Sequence, residues 1–558
     1  MSAAGEAVAD VVVAGAGHNS LITAAYLVRA GYRCRVLDAR PVPGGGVASE
    51  ELILDGFKLD SCSTGHTLIQ TNPLLSADEL GLIAEHGLSY LAPDPVGHVV
   101  FPDGESLTMW LSLERTCEEI AYYSTRDADA YRRLLAEYDA VKEAFNRSRF
   151  TPVGFGPSLD QLLDGLPGGG RWRRRATMSA WEVVRREFES PHVQSFMLWM
   201  AFQTGQPVGS AGSGPLAYSI VFGRQRRSWT LPRGGSGELA RALVEVIEEG
   251  GGEVLCDRRV VELILDGGRC VGVVTEDGER HIAARAVLSS IHVKDLVHMA
   301  PRDAWDEDFR YGIDTYDEGV SAFAAHYATT EPPRYPTRDG GLLECVSAGV
   351  AGWPQDILRM GRDVREGRLV RDGAWLLFPA PTVADPSRAP DGCHTVKILG
   401  MQPYSPVGVA AADPAAAWAQ LRSEIADVHL HHLRRAAPNL DTDTILGELI
   451  VSPVDLERAN PHMWRGTFHG GDRSLSYSGA QRPAPGWAQH RMPIPGLYQT
   501  GGTTHPGGSV TGGPGRNAAV VMLSDLGFDA GDLLAGGLAG LDRRRAQRTP
   551  PGGTAVRG

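Results

Sequence analysis

A chain of 558 residues exceeds one compact domain and fits two or three, and its 42% hydrophobic content can build a substantial core. Charged residues at 22% exclude a disordered polyelectrolyte, and a formal net charge of −13 argues against nucleic acid as a partner. Seven scattered cysteines form no CxxC pair, so neither a zinc ribbon nor a redox dithiol is expected, no metal site is expected, and the pattern fits a reducing cytoplasm.

The N-terminal MSAAGEAVAD lacks the basic and apolar regions of a signal peptide, which points to a cytoplasmic protein. No run approaches the ~18 apolar residues of a membrane span, while peripheral membrane contact stays open. Only Lys58, Lys142, Lys294 and Lys397 are lysine among the 54 basic residues. That bias points to a GC-rich bacterial genome and leaves few lysines for Schiff-base chemistry.

Residues 10–38 read as strand, turn, helix and strand: DVVVAG, then LITAAYLVRAG closing at Gly31, then YRCRVLD. The turn is Gly15-Ala16-Gly17-His18-Asn19-Ser20. Gly15 permits the tight bend, Gly17 lets a pyrophosphate approach the backbone, and the helix start supplies N–H donors. Ser20 stands where a third glycine is usual, a packing position that a small residue can fill. Asp38 ends the second strand, where a carboxylate can accept bonds from ribose hydroxyls and disfavours a 2′-phosphate. Together these elements predict dinucleotide binding.

Beyond Asp38-Ala39-Arg40 comes the run Gly44-Gly45-Gly46. Residues from about 110 to 205 are expected to be helical by their apolar spacing, interrupted near 154–175 by a Gly/Pro- and Arg-rich surface connection. FMLWMAF (196–202) reads either as the lining of an apolar tunnel or as a buried core helix. Residues 229–297 read as a helix followed by strands, 313–453 as mixed strands and helices, and 497–527 as strand, glycine-rich turn and helix. The last stretch, from 531, reads as a flexible tail.

Five segments, in order and at matching spacing, carry a resemblance to the FAD-containing amine-oxidase and phytoene-desaturase superfamily, including its "pyridine nucleotide-disulphide oxidoreductase domain" branch. They are GAGHNS with Asp38, Arg40 and Gly44-Gly45; GGGVASEE followed by GFKLD; LPRGGSGELARAL (231–243) ahead of Val260 in CDRRVVELI; FHGGD (468–472); and LYQTGGTTHPGGSVTGGPGRNAAVVM (497–522). The resemblance implies an α/β fold. A Rossmann-like FAD-binding domain of the glutathione-reductase type (1–105, 229–300 and 488–530) would carry a mainly helical lid (106–228), an inserted α+β substrate domain (301–487) and the tail (531–558).

In relatives Arg40 and the glycines lie along the flavin ribityl and diphosphate, and the backbone at Val260 meets adenine. Gly502 and Thr503 would lie at the flavin, and a helix beginning at Gly512–Gly513 would aim free N–H groups at the ring's N1 and C2 carbonyl. No cysteine lies in the C-terminal motif, so the FAD is expected to be non-covalent. The implied activity is desaturation of a hydrophobic small molecule by hydride transfer to flavin N5, with oxygen, a quinone or another acceptor reoxidising the flavin. A flavin amine or alcohol oxidase and an isomerase without net redox are alternatives. Rab GDP-dissociation inhibitors share the fold as binding proteins, a reading opposed by the intact Gly15, Gly17, Asp38 and THPGG. A homodimer is compatible with the sequence.

For the proton, His505 is a candidate acceptor or a prop of the turn before Pro506. His469 is a candidate for the same cavity, and Thr504 and Thr503 for the flavin edge or the turn itself. His66 and Lys397 are weaker candidates. The HLHH cluster (His429, His431, His432) reads as solvated helix surface.

Overall fold

The computed structural model describes residues 8–535 and residue 541. Of the tail expected from 531, residues 530–535 form a helical turn and Leu541 is buried; the rest lies outside the described residues. No helix among the described residues is long and apolar enough to cross a membrane.

The β-branched run Val8–Ala14 becomes the central strand of a seven-stranded sheet. Parallel neighbours are Cys34–Leu37 and Arg280–Ser289, with Glu253–Leu255 beyond the first and Leu497–Gln499 beyond the second. The antiparallel strands Arg269–Thr275 and Val260–Asp266 complete the sheet. Alternation along the central strand sends Val11 and Val13 to one core, and Val12 and Ala14 to the other. Helix His18–Arg29 is buried from Asn19 to Val28 because it packs between the sheet and helices Gly237–Glu249 and Gly513–Asp525. The register pairs Ala14 with Leu37 and with Ser289, and Ser289 with Gln499, so four strands end at one level. Ligands of open α/β sheets sit at such carboxyl edges.

A second seven-stranded sheet runs in the order Ile445–Val451, Ala322–Thr329, His394–Met401, Trp375–Pro379, Ser347–Ala351, Gly97–Val100 and Ser106–Met109. Its last two strands straddle the expected boundary at 105/106: Gly97 pairs with Met109 in a hairpin, and the hairpin joins the sheet through a parallel pairing with Ser347–Ala351. Helix Pro414–Ala436 covers one face. The helices between Leu113 and Arg227 cover the other.

FMLWMAF lies in helix Pro191–Phe202 with every residue from Phe196 to Phe202 buried, which makes it core. Trp199 Nε1 donates to the Leu376 carbonyl at 3.1 Å, and Trp375 Nε1 donates to the Trp199 carbonyl at 3.0 Å. The expectation that HLHH is all solvated surface is corrected at His429, which is buried against Phe323. Between the two sheets a fully buried ion pair, Arg388 to Asp60 at 2.8 Å, ties the turn Pro386–Arg388 to the short strand Leu59–Asp60.

Candidate functional site

A cavity of 530 Å³ opens where the parallel strands end. Gly15 takes φ +103° there, and a Cβ at that position would stand 2.3 Å from Ser290 Oγ, so the turn closes only without a side chain. The second glycine run clamps the first: Gly44 N–H donates to Ala16 O at 2.8 Å and His18 N–H donates to Gly44 O at 3.1 Å. A Cβ on Gly45 would lie 3.0 Å from Gly17 Cα. Ser20 fills the third position with a purpose, since its Oγ donates within the turn to the carbonyls of Gly15 (2.6 Å) and Gly17 (2.9 Å).

Asp38 accepts the backbone N–H of Ala16 at 2.6 Å and that of Arg40 at 2.8 Å, one on each carboxylate oxygen. Each oxygen keeps a further lone pair for a hydroxyl. Burial pushes its carboxyl above the usual range, opposed by those N–H groups and by Arg40 and Arg259. Arg40 braces the loop, donating to Gly45 O at 3.1 Å and pairing with Glu50 at 2.8 Å.

Of the residues expected to hold a dinucleotide, Gly15, Gly17, His18, Asn19, Ser20, Asp38, Ala39, Arg40, Gly45, Gly46, Val260 and Gly502 line this cavity. Gly44 sits behind it, packed against Ala240, where its carbonyl and N–H hold the turn. The donors, the carboxylate and the close backbone approach fit a dinucleotide whose phosphates need N–H groups and whose riboses need acceptors.

Several residues of the C-terminal motif stand off the cavity. Gly512 and Gly513 do not reach the cavity wall: the Gly513 N–H donates to Thr511 Oγ1 (3.1 Å) in the turn before its helix, and the Gly515 N–H donates across to Asn19 Oδ1 (3.3 Å) of helix His18–Arg29. Gly508 and Ser509 line the wall instead. Thr503 is buried off the wall beside Gln499 Nε2, and Thr504 Oγ1 donates to Gly501 O at 3.0 Å, which makes both turn-holding residues. His505 turns away from the cavity, its Nε2–H donating to the Ser148 carbonyl at 3.0 Å, and burial holds its pKa down to about 4.

His469 is brought to the wall. Both of its ring nitrogens are buried without a hydrogen-bond partner among the described residues. Burial, reinforced by Arg473 and Arg482, holds its pKa well below the ordinary value, so the ring is neutral. Arg482 fixes the surrounding backbone, donating to the carbonyls of Gly502 (2.9 Å), Asp472 (2.6 Å) and Gly470 (3.0 Å).

A second, inner cavity of 150 Å³ shares His18, Gly46, Phe468, His469 and Ser509 with the first. Lys397 lines it, with Nζ donating to the Cys62 carbonyl at 2.6 Å. His66 does not line it; its Nε2 meets Ser236 Oγ at 3.1 Å. Sequence reasoning missed Ser290 and His462. His462 accepts the Gly502 N–H at Nε2 (3.1 Å) and meets Ser290 O through Nδ1–H (2.7 Å), tying the glycine turn to the strand end. A serine following a strand at the sheet's carboxyl edge, as in LSSI, was the available signal.

Residues 21–523 match the family described as flavin containing amine oxidoreductase. The chain is 28% identical to one of the subunits of the limonene dehydrogenase of Castellaniella defragrans, covering 93% of this chain and 95% of that one. It is 28% identical to the phytoene dehydrogenase of Streptomyces griseus, covering 98% of each. A solved oxidoreductase from Methanosarcina mazei has the same fold, with a TM-score of 0.56 and 17% identity over 92% of this chain and 99% of that one.

Proposed function

The chain belongs to the flavin-containing amine oxidoreductase family, and from that premise we propose that it removes two hydrogens from adjacent carbons of a hydrophobic small molecule, with FAD held non-covalently in the larger cavity. The observation that carries the reading is the meeting of two cavities at His469, one walled by glycines and backbone and the other by Trp229, Leu377, Leu399 and Phe468. Bound in the first, the flavin supplies a two-electron acceptor for the hydride.

This chain's residues supply the rest. The apolar walls seat the substrate and exclude water. His469, neutral and unbonded at Nδ1 and Nε2, accepts the second hydrogen as a proton while the double bond forms. His18 and Ser509 border the same junction and fix its width. Two relatives are named as dehydrogenases of limonene and phytoene, both apolar molecules.

Anaerobic mixing of the flavin-loaded protein with apolar olefins, amines and alcohols tests the reading. Bleaching of the visible flavin band by an olefin supports desaturation. Bleaching by amines or alcohols alone replaces it with oxidase chemistry, and conversion without net oxidation by pre-reduced protein replaces it with isomerisation.

A further inference from the structure

The inner cavity contains a charge that no described residue answers. Arg224 lies in helix Leu216–Arg227, is 6% exposed, and lines that cavity. Its guanidinium makes no hydrogen bond or ion pair with any described residue, and Nη1 is fully buried. It stands over the Trp229 ring with Cζ 5.5 Å from the centroid, which orients it without neutralising it. Arg388 is answered by Asp60 and Arg516 by Glu79, each at 2.8 Å, and Arg482 by a set of carbonyls, whereas Arg473, near His469, shares with Arg224 a buried Nη1 without a partner among the described residues. Burying an unpaired charge is costly, and an anionic partner would recover that cost. Burial, the dominant influence, lowers the pKa of Arg224 to about 9, so it remains a cation at neutral pH.

Lys397 lines the same small space, its pKa lowered by burial, and among the described residues no aspartate or glutamate lines it. An outer cavity of 470 Å³ shares Thr67 and Leu68 with the inner one and lies toward solvent. It is lined by Lys142, Arg149, Arg226 and Arg227 against only Asp139 and Glu143, and Lys142 is itself paired with Asp139. On a chain of net charge −13, such a positive approach concentrates anions.

We propose that the substrate is an amphipathic carboxylic acid whose carboxylate seats on the Arg224 guanidinium, placing the apolar carbons toward His469. The proposal rests on the reading of the inner cavity as the substrate site. An amine substrate would bring its ammonium against the Arg224 guanidinium with no aspartate or glutamate in the lining to answer it, so the same feature argues against amine oxidation. A planar carboxylate matches the guanidinium fork in two hydrogen bonds, which a neutral ester or alcohol cannot reproduce.

The test uses the flavin-loaded full chain and three probes of equal length: octanoate, methyl octanoate and octanol. Binding is read by perturbation of the flavin spectrum. The expected result is octanoate binding about tenfold or more tightly than either neutral probe, with Arg224→Gln erasing the preference and Arg224→Lys restoring part of it. Equal or weaker binding of octanoate by the unaltered protein, or no binding of it, overturns the proposal, and that comparison needs no variant to fold. Retained preference in Arg224→Gln also overturns it. Anaerobic flavin reduction separates the two readings: carboxylate preference without reduction by any olefinic acid leaves the head-group proposal standing and removes desaturation. Reduction by neutral olefins with no preference for acids does the reverse.

Discussion

The two cavities are built from different materials. The larger one is made of backbone: glycines with positive φ, strand ends at one level, and N–H and carbonyl groups clamped to each other around Gly15, Gly17 and Gly44. The inner one is made of side chains from segments far apart in the chain, Cys62, Arg224, Trp229, Lys397 and His469. A backbone-made site tolerates few substitutions where a Cβ would collide, as at Gly15, Gly470 and Gly508. A side-chain-made site can change its ligand while the fold stays put, which is how one fold serves many substrates.

Acid makes the broadest test of how far the two regions stand apart. Burial keeps histidines neutral around the larger cavity and around the second sheet, at pKa values of about 4 for His18 and His462 beside that cavity, about 4 for His98 in the sheet and about 3 for His429 in the helix that covers it. A folded pKa below the unfolded value of about 6.5 means the unfolded chain binds the proton first, so stability is intact above that pH and is lost as pH falls towards 4. Each such histidine contributes up to about 2 kcal/mol of loss between pH 7 and pH 5. Thermal unfolding followed over that range is expected to show one transition moving down; two separating transitions would show that the regions unfold independently.

The strut between them gives the next largest effect. Asp60 also accepts Ser49 Oγ and the Ser236 N–H, and despite its burial the Arg388 guanidinium holds its carboxyl below the usual range. Arg388→Met strands that carboxylate in the interior and is expected to cost about 3–5 kcal/mol in denaturant unfolding. A loss under about 1 kcal/mol would show the pair to be dispensable to the joint.

Within the larger cavity, Gly15→Val forces both a strained φ and a clash with Ser290, about 3 kcal/mol together, and the purified protein is expected to lose over ~100-fold in flavin affinity. The flavin-to-protein absorbance ratio measures it. Ser20→Gly removes two hydrogen bonds inside the turn and restores the usual residue, so about 1 kcal/mol or less is expected from the same titration.

The cofactor half was legible because its chemistry is local. GAGHNS, Asp38, the Gly44–Gly46 run and Val260 each read as a short pattern with a physical purpose, and of that group Ala16 and Gly44 stand behind the wall. The inner cavity was not legible, because no local pattern tells that Arg224 and Lys397 will share it; helix Leu216–Arg227 shows only a basic end. His505 is a case the motif left open between two roles. Its place inside a glycine-rich motif suggested the reacting side, but a side chain one residue from a tight turn can face either way, and this one bonds to Ser148. His469 sits in an equally glycine-rich stretch and faces the junction.

That pair tests the account most directly, in single-turnover anaerobic flavin reduction by a substrate found in the screen. The account predicts that His469→Ala keeps its flavin and slows reduction by about 100-fold or more, while His505→Ala slows it less than about threefold. Slow reduction in His505→Ala with a normal rate in His469→Ala would contradict it.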